Sequence, residues 1–429
     1  MKTHKDRNLL PDLIIKNIGQ LVTVAGSSLT PKTYSEMDEL GTIKNGAVAI
    51  KDENIIDVGQ SNKLENKYKY NNIKIIDACE KVVMPGFVDC HTHAVFGGDR
   101  AGEFIQRIQG ITYWEILKKG GGILSTVKNT RKLKLSELIK TSSMHLDSML
   151  LHGTTTVEIK SGYGLNKKDE LKILKAIQNL KIIHHIEIIP TFLGAHTVPL
   201  EYKKNPEAYA KIVCDMLSEV KPYATFCDVF CDKGGFSPKQ SEKILSSAAR
   251  LDFKLKMHVN EFEDIGGISV AIKLGAMTVD HLDIIKPSDI LKMKNRGIVC
   301  VLLPGVTFFL MKNTYAPAKM LIEKGLPIAI ATDFNPGTCP CNNMQLIITL
   351  ACLKLGMTPT QAINAATINA AHAVGMAHRI GSIETGKQAD IIILDIHDYK
   401  QIPYYFGINH VNTVIKKGKV VVENKYLIN

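Results

Sequence analysis

Long apolar runs are missing from this chain. The longest, such as Gly297-Ile298-Val299-Cys300-Val301-Leu302-Leu303, stop at Pro304-Gly305, well short of the roughly 20 residues a helix needs to cross a bilayer. No membrane partner is therefore expected. Nor is a secretory leader, since Met1-Lys2-Thr3-His4-Lys5-Asp6-Arg7-Asn8 runs into Leu9-Leu10-Pro11-Asp12 and not into an unbroken apolar segment. Cysteine is sparse, with nine in 429 residues, an odd number without framework spacing. That points to reduced thiols in a cytoplasmic protein and away from a disulfide scaffold.

A block of one charge is missing too. The formal net charge is +11, yet the lysines are scattered in segments such as Lys118-Lys119 and Lys167-Lys168. A nucleic-acid binder calls for clustered basic residues with stacking aromatics, and neither is present. The positive excess reads as solvated surface with a mild attraction for anionic substrates. Low-complexity tracts and short internal repeats are also absent, which excludes disordered and fibrous classes.

What remains is an enzyme-sized globular chain, 45% hydrophobic and 22% charged. Its length suits one barrel of roughly 250 residues with a smaller domain. Both ends carry short strand-length apolar runs bounded by Asn, Asp or Gly: Asp12 to Asn17, Gly46 to Ile50 and Ile55 to Gly59 at the start, then Ala389 to Asp395, Val411 to Ile415 and Lys417 to Val422 at the end. These predict a small β-sandwich built from residues 1–84 and 381–429. From 85 to 380, strand-like runs alternate with helical patterns such as Lys134 to Gly153 and Asn166 to Leu180. The runs begin at Val82 to Val88, read as one strand, and continue at 157–159, 186–191, 227–230, 254–259, 277–280, 298–301 and 328–332. Eight strands with crossover helices predict a TIM barrel, an α/β fold whose active site lies at the strand C-terminal ends.

Those ends carry the chemistry. In Pro85-Gly86-Phe87-Val88-Asp89-Cys90-His91-Thr92-His93, strand alternation sends His91 and His93 to one face and Thr92 to the other. Taken alone, the pair reads equally as two unrelated histidines on a half-buried strand. His258 lies near the end of the fifth run, and Asp333 closes the eighth before the turn Phe334-Asn335-Pro336-Gly337. Singly, His258 reads as a core or surface histidine and Asp333 as a helix cap. Together, three imidazoles and a carboxylate at one barrel rim suit one divalent transition metal, Zn2+ or Fe, with a position open to water. His281, ending the sixth run, reads as a further ligand, a proton shuttle or a substrate contact. Glu261 suits hydrogen bonding to water or to a ring N–H.

These residues, with the closing Gly386-Lys387-Gln388-Ala389-Asp390, resemble the amidohydrolase superfamily over nearly the whole chain. Four stretches are similar to its imidazolonepropionase family: His93 to Arg100, Glu158 to Leu165, Thr191 to His196 and Thr332 to Thr338. The resemblance implies hydrolytic opening of 4-imidazolone-5-propanoate to N-formimino-L-glutamate in histidine degradation. It implies substrate contacts from Arg100, Tyr163 and His196, with Arg100 and Tyr163 on the propionate carboxylate. Asn335, Gly337, Thr338 and Glu261 join them by the same similarity, and Tyr113 is a further candidate. Asp333 or His281 is implied as the base, with Glu261 orienting the ring.

Lys160 tests the subclass, because some relatives carboxylate a lysine on the fourth strand to bridge two metals. Here Lys160 ends the second run and reads as structural or electrostatic. Cys339-Pro340-Cys341 lacks partners at useful spacing and is not read as a metal pair. A homodimer follows from the superfamily alone. Two rival readings remain at this stage, a related ring deaminase of the cytosine or guanine type and a non-catalytic barrel scaffold.

Overall fold

Each short strand at the start of the chain hides an apolar face and needs a neighbour to cover it. In the computed structural model, which describes residues 10–69, 73–294 and 296–428, β1 (Leu13–Val22) pairs antiparallel with β2 (Thr42–Lys51). That strand pairs antiparallel with β3 (Asn54–Gln60). The other edge of β1 takes two parallel neighbours in succession, β4 (Lys74–Asp77) and then β5 (Val82–Pro85).

After β5 the chain changes sheets. The single strand expected from Val82 to Val88 is in fact two, because β5 stays with the first sheet while β6 (Phe87–Thr92) opens the second. Gly86 joins them. A Cβ there would lie 2.3 Å from the Thr155 side chain, so a larger residue would push the two sheets apart.

The second sheet runs in chain order through β6, β7 (Thr154–Lys160), β8 (Glu187–Ala195), β9 (Phe226–Cys231), β10 (Lys254–Val259), β11 (Thr278–His281), β12 (Val299–Leu302) and β13 (Ile328–Ile330). Every neighbouring pair is parallel. Asp333 N donates to His91 O at 3.0 Å and His93 N to Phe334 O at 2.9 Å, stitching the last strand to the first. The eight-stranded barrel foreseen from the sequence is thereby closed beside its own candidate ligands.

Helices fill the crossovers, with Leu135–Leu151 and Lys167–Ile183 where the sequence pattern put them. Their starts are chemically marked: Asn166 accepts from Asp169 N, and Ser237 and Gln240 form a capping box before Pro238–Ala249. No helix among the described residues is long and apolar enough to cross a membrane.

The chain then returns to the first sheet. β14 (Ile391–Leu394) pairs antiparallel with β5, followed by β15 (Val411–Lys416), β16 (Lys419–Glu423) and β17 (Tyr426–Leu427). Nine strands from the two ends thus make one mixed sheet. Its arms share an apolar core that includes Ile15, Ile18, Val48, Val83, Ile391 and Ile415.

Candidate active site

The C-terminal ends of the barrel strands converge on a group of buried histidines. His91 and His93 come from the end of β6, His258 from β10 and His281 from β11, while Asp333 lies just beyond β13. The backbone turns left-handed at His281 (φ 81°) and Asp333 (φ 49°). Such conformations cost of order 1–3 kcal/mol and persist only where the surroundings over-determine them.

His91, His93 and Asp333 each bring one ligand atom within 4.8 Å of the others, as do His91, His258 and His281. The four expected ligands thus fall in two groups that share His91, and His281 belongs to the one that holds His258. His91 Nε2, His93 Nδ1, His258 Nε2 and Asp333 Oδ1 are buried without a hydrogen-bond partner. Leaving such atoms unpaired costs roughly 1–3 kcal/mol each. Burial, with nearby positive groups, holds His91, His93 and His281 well below the usual histidine range, in the neutral form that ligates a metal. Burial also pushes the Asp333 carboxyl up to about 7, a shift that a neighbouring cation reverses. Neutral imidazoles and a carboxylate, with Asp333 Oδ1 at 3.5 Å from His91 Nε2 and 3.3 Å from His93 Nε2, fit a divalent metal ion.

Beneath them lies a dry charged layer. Asp280 Oδ2 accepts from His91 Nδ1 at 2.6 Å, and Asp228 Oδ1 accepts from His258 Nδ1 at 3.0 Å. Each bond fixes a tautomer and leaves Nε2 with a free lone pair. Lys160 Nζ sits 2.7 Å from Asp228 and 2.8 Å from Glu158. Burial opposes the charge on Lys160, but Asp228, Glu158 and Asp280 outweigh it and hold the ammonium well above the usual lysine range. Sequence reasoning gave Lys160 a structural or electrostatic role but passed over Asp228, Asp280 and Glu158. The available signal was a carboxylate inside an otherwise apolar strand, as in Cys227-Asp228-Val229-Phe230.

Above the histidines a small cavity of about 40 Å³ opens, lined by His93, Arg100, Tyr163, His196, His258, Glu261, His281, Asp333, Asn335 and Thr338. Ile123, Phe230 and Phe262, which sequence reasoning passed over, supply apolar wall. His91 lies behind this lining. Arg100 is buried, and its Nε and Nη1 have no hydrogen-bond partner. The nearest carboxylate contact, Glu103 Oε2, is 3.7 Å from Nε. His196 stacks on His93 with ring centroids 4.9 Å apart, and its Nδ1 donates to Gly162 O at 3.1 Å. Tyr163 lies 5.4 Å from His196 between ring centroids.

Glu261 is held by its backbone, whose N–H donates to Asp232 Oδ2 at 2.6 Å. Its Oε2 is 3.7 Å from His281 Nε2, and burial raises its carboxyl well above the usual range. Asn335 spends both amide hydrogens inside its own loop, on Asp333 O at 2.7 Å and Thr338 Oγ1 at 2.8 Å. Gly337 is not on the cavity wall. A Cβ there would fall 0.9 Å from Arg100 Nη2, so its bare Cα is what lets the guanidinium lie flat against the loop. Tyr113 starts the helix Tyr113–Lys118, and its side chain is outside the described residues.

The Amidohydrolase family model matches residues 82–421. Imidazolonepropionase from Alkaliphilus metalliredigens is 45% identical over 423 residues, covering 98% of this chain and 100% of the relative. The Geobacillus kaustophilus imidazolonepropionase is 45% identical over 417 residues, covering 96% of this chain and 98% of the relative.

The chain belongs to the imidazolonepropionase family of amidohydrolases.

More distant solved structures share its architecture alone. An adenosine deaminase from Xanthomonas campestris superposes with a TM-score of 0.73 at 18% identity, covering 98% of this chain and 94% of that one. An Aspergillus niger ochratoxinase does so with a TM-score of 0.70 at 21% identity, covering 96% and 95%. The barrel is thus common ground for different substrates.

Proposed function

We propose that this chain hydrolyses the cyclic amide C–N bond of 4-imidazolone-5-propanoate to give N-formimino-L-glutamate, in histidine degradation. The observation that carries this reading is Arg100, a buried guanidinium whose Nε and Nη1 have no hydrogen-bond partner and whose nearest carboxylate contact, Glu103, is 3.7 Å away, in the cavity that also holds the histidines. A buried cation of this kind demands an anion, and the planar fork matches a carboxylate. The propionate tail supplies it.

In this reading His91, His93, His258 and Asp333 hold one divalent ion, zinc or iron. When bound, that ion lowers the pKa of water toward neutrality and polarises a carbonyl. Arg100 and Tyr163 grip the tail, His196 closes the pocket over the ring, and Glu261 takes the ring N–H. His281 or Asp333 accepts the proton of the attacking water and returns it to the ring nitrogen as the C–N bond breaks. Asn335, Gly337 and Thr338 contribute by shaping the loop against which Arg100 rests. The dry ammonium of Lys160 among carboxylates supports one ion in place of a lysine-bridged pair.

The test is an assay of purified, metal-loaded protein with imidazolonepropionate against a panel of nucleobases. Ring opening of the first with no deamination of the second is expected. Turnover of a nucleobase without turnover of imidazolonepropionate would overturn the reading, since such substrates bring no carboxylate to Arg100.

A further inference from the structure

Lys160 and Glu158, two residues apart on β7, both face the barrel interior, where Lys160, Glu158, Asp228 and Asp280 are each fully buried. The ammonium touches Asp228 Oδ2 at 2.7 Å, and Oδ1 of that same carboxylate accepts from His258 Nδ1. It also reaches Asp280 Oδ2 at 3.7 Å, the very oxygen that lies 2.6 Å from His91 Nδ1. One cation therefore stands between the two carboxylates that orient His258 and His91. Its own position is set by Glu158 at 2.8 Å, which is in turn held by the Thr191 hydroxyl and reached by Lys256 at 3.7 Å. Asp228 and Asp280 each bring an oxygen within 4.8 Å of the other and of His258.

Without the ammonium, two fully buried carboxylates would face each other uncompensated. At such distances in a low dielectric, like charges repel strongly. One carboxylate must turn away, and the histidine it orients then loses its fixed acceptor. We propose that Lys160 is a positioning residue which, by clamping Asp228 and Asp280, aligns His258 and His91 and so sets the affinity and geometry of the metal site. This rests on the reading of those two histidines as ligands.

Lys256 provides the control. It is equally buried and donates to Cys90 O at 3.2 Å, but makes no ion-pair contact within 4 Å with Asp228 or Asp280 among the described residues, its charge reaching Asp280 only from farther away. The experiment strips the full-length protein with a chelator and titrates it with Co(II) against a chromophoric competitor, recording the visible spectrum of the bound ion and the far-ultraviolet circular dichroism. Lys160→Met should weaken Co(II) binding by about 10- to 100-fold and alter the visible bands, while Lys256→Met stays within about threefold with the wild-type spectrum. If Lys160→Met does not fold, Lys160→Gln, nearly as long and still a donor, is held to the same expectation. A Lys160 variant that folds and keeps wild-type affinity and bands overturns the inference, as does an equal loss in Lys256→Met. Failure of the wild-type protein to bind Co(II) would instead overturn the metal reading itself, so the two failures are distinguishable.

Discussion

The two sheets of this molecule spend their interiors differently. The nine-stranded sheet buries mainly hydrocarbon, around Ile15, Val83, Ile391 and Ile415, with a buried ion pair between Lys416 and Asp390 at 2.6 Å. The eight-stranded barrel buries Lys160, Lys256, Glu158, Asp228 and Asp280 at its centre, each without solvent exposure. Hydrocarbon burial returns free energy wherever it occurs, at about 25 cal/mol per Å². Buried ion networks return little against well-packed apolar residues and cost several kcal/mol when one member is removed. The barrel interior therefore carries a larger stability cost than the small sheet, and among its charges Asp280 and Asp228 are the ones that touch His91 and His258.

The contrast is broken most severely at the ligands. His258→Ala should lower kcat on the order of 10³-fold or more, because the Lewis acidity it helps to hold is worth several kcal/mol. Metal content measured by elemental analysis should fall with it, and chelation of the wild-type protein should reproduce the loss until metal is restored. Full activity in a metal-free protein would sink the assignment.

Next comes the apolar sheet. Ile391→Ala, at a fully buried site, should cost about 2–5 kcal/mol in urea-induced unfolding, while the folded fraction keeps its kcat. A drop in kcat with unchanged stability would show that the small sheet communicates with the site.

Arg100 lies between these extremes. Loss of a charge-assisted hydrogen bond is worth roughly 1.5–3 kcal/mol, so Arg100→Ala should raise KM by about 10- to 100-fold with a much smaller change in kcat. A pure turnover defect would count against a grip on the substrate tail. Gly337→Ala is expected to shift KM in the same direction, since the added methyl overlaps Arg100 Nη2.

The smallest effect is expected on the outer helices. Lys243 pairs with Glu207 at 3.0 Å with both side chains about half exposed, and Lys243→Ala should leave the urea unfolding midpoint at the wild-type value. A shift as large as that of Ile391→Ala would mean that this surface pair matters as much as the buried core.

Much of the barrel was legible because its strands announce themselves as short apolar runs that end in a chemically costly residue. His93, His258 and Asp333 each follow such a run, and the His91-Thr92-His93 spacing already implied one face. The division between β5 and β6 was not legible, since Val82 to Val88 is apolar throughout and only the partners of each half differ. Nor was the role of Gly337. Its glycine is consistent with close approach of a ligand, and the tertiary structure brings Arg100 there instead.

Local sequence alone determined which residues are able to ligate, which runs become strands and which helices begin where, because alternation, capping and turn chemistry act over a few residues. Only the tertiary structure decided what stands behind each ligand. Asp280 meets His91, Asp228 meets His258 and Lys160 meets both carboxylates only after barrel closure brings β6, β7, β9, β10 and β11 around one axis. A buried charge is tolerated only when its partner arrives, and these partners lie on separate strands, far apart in the chain.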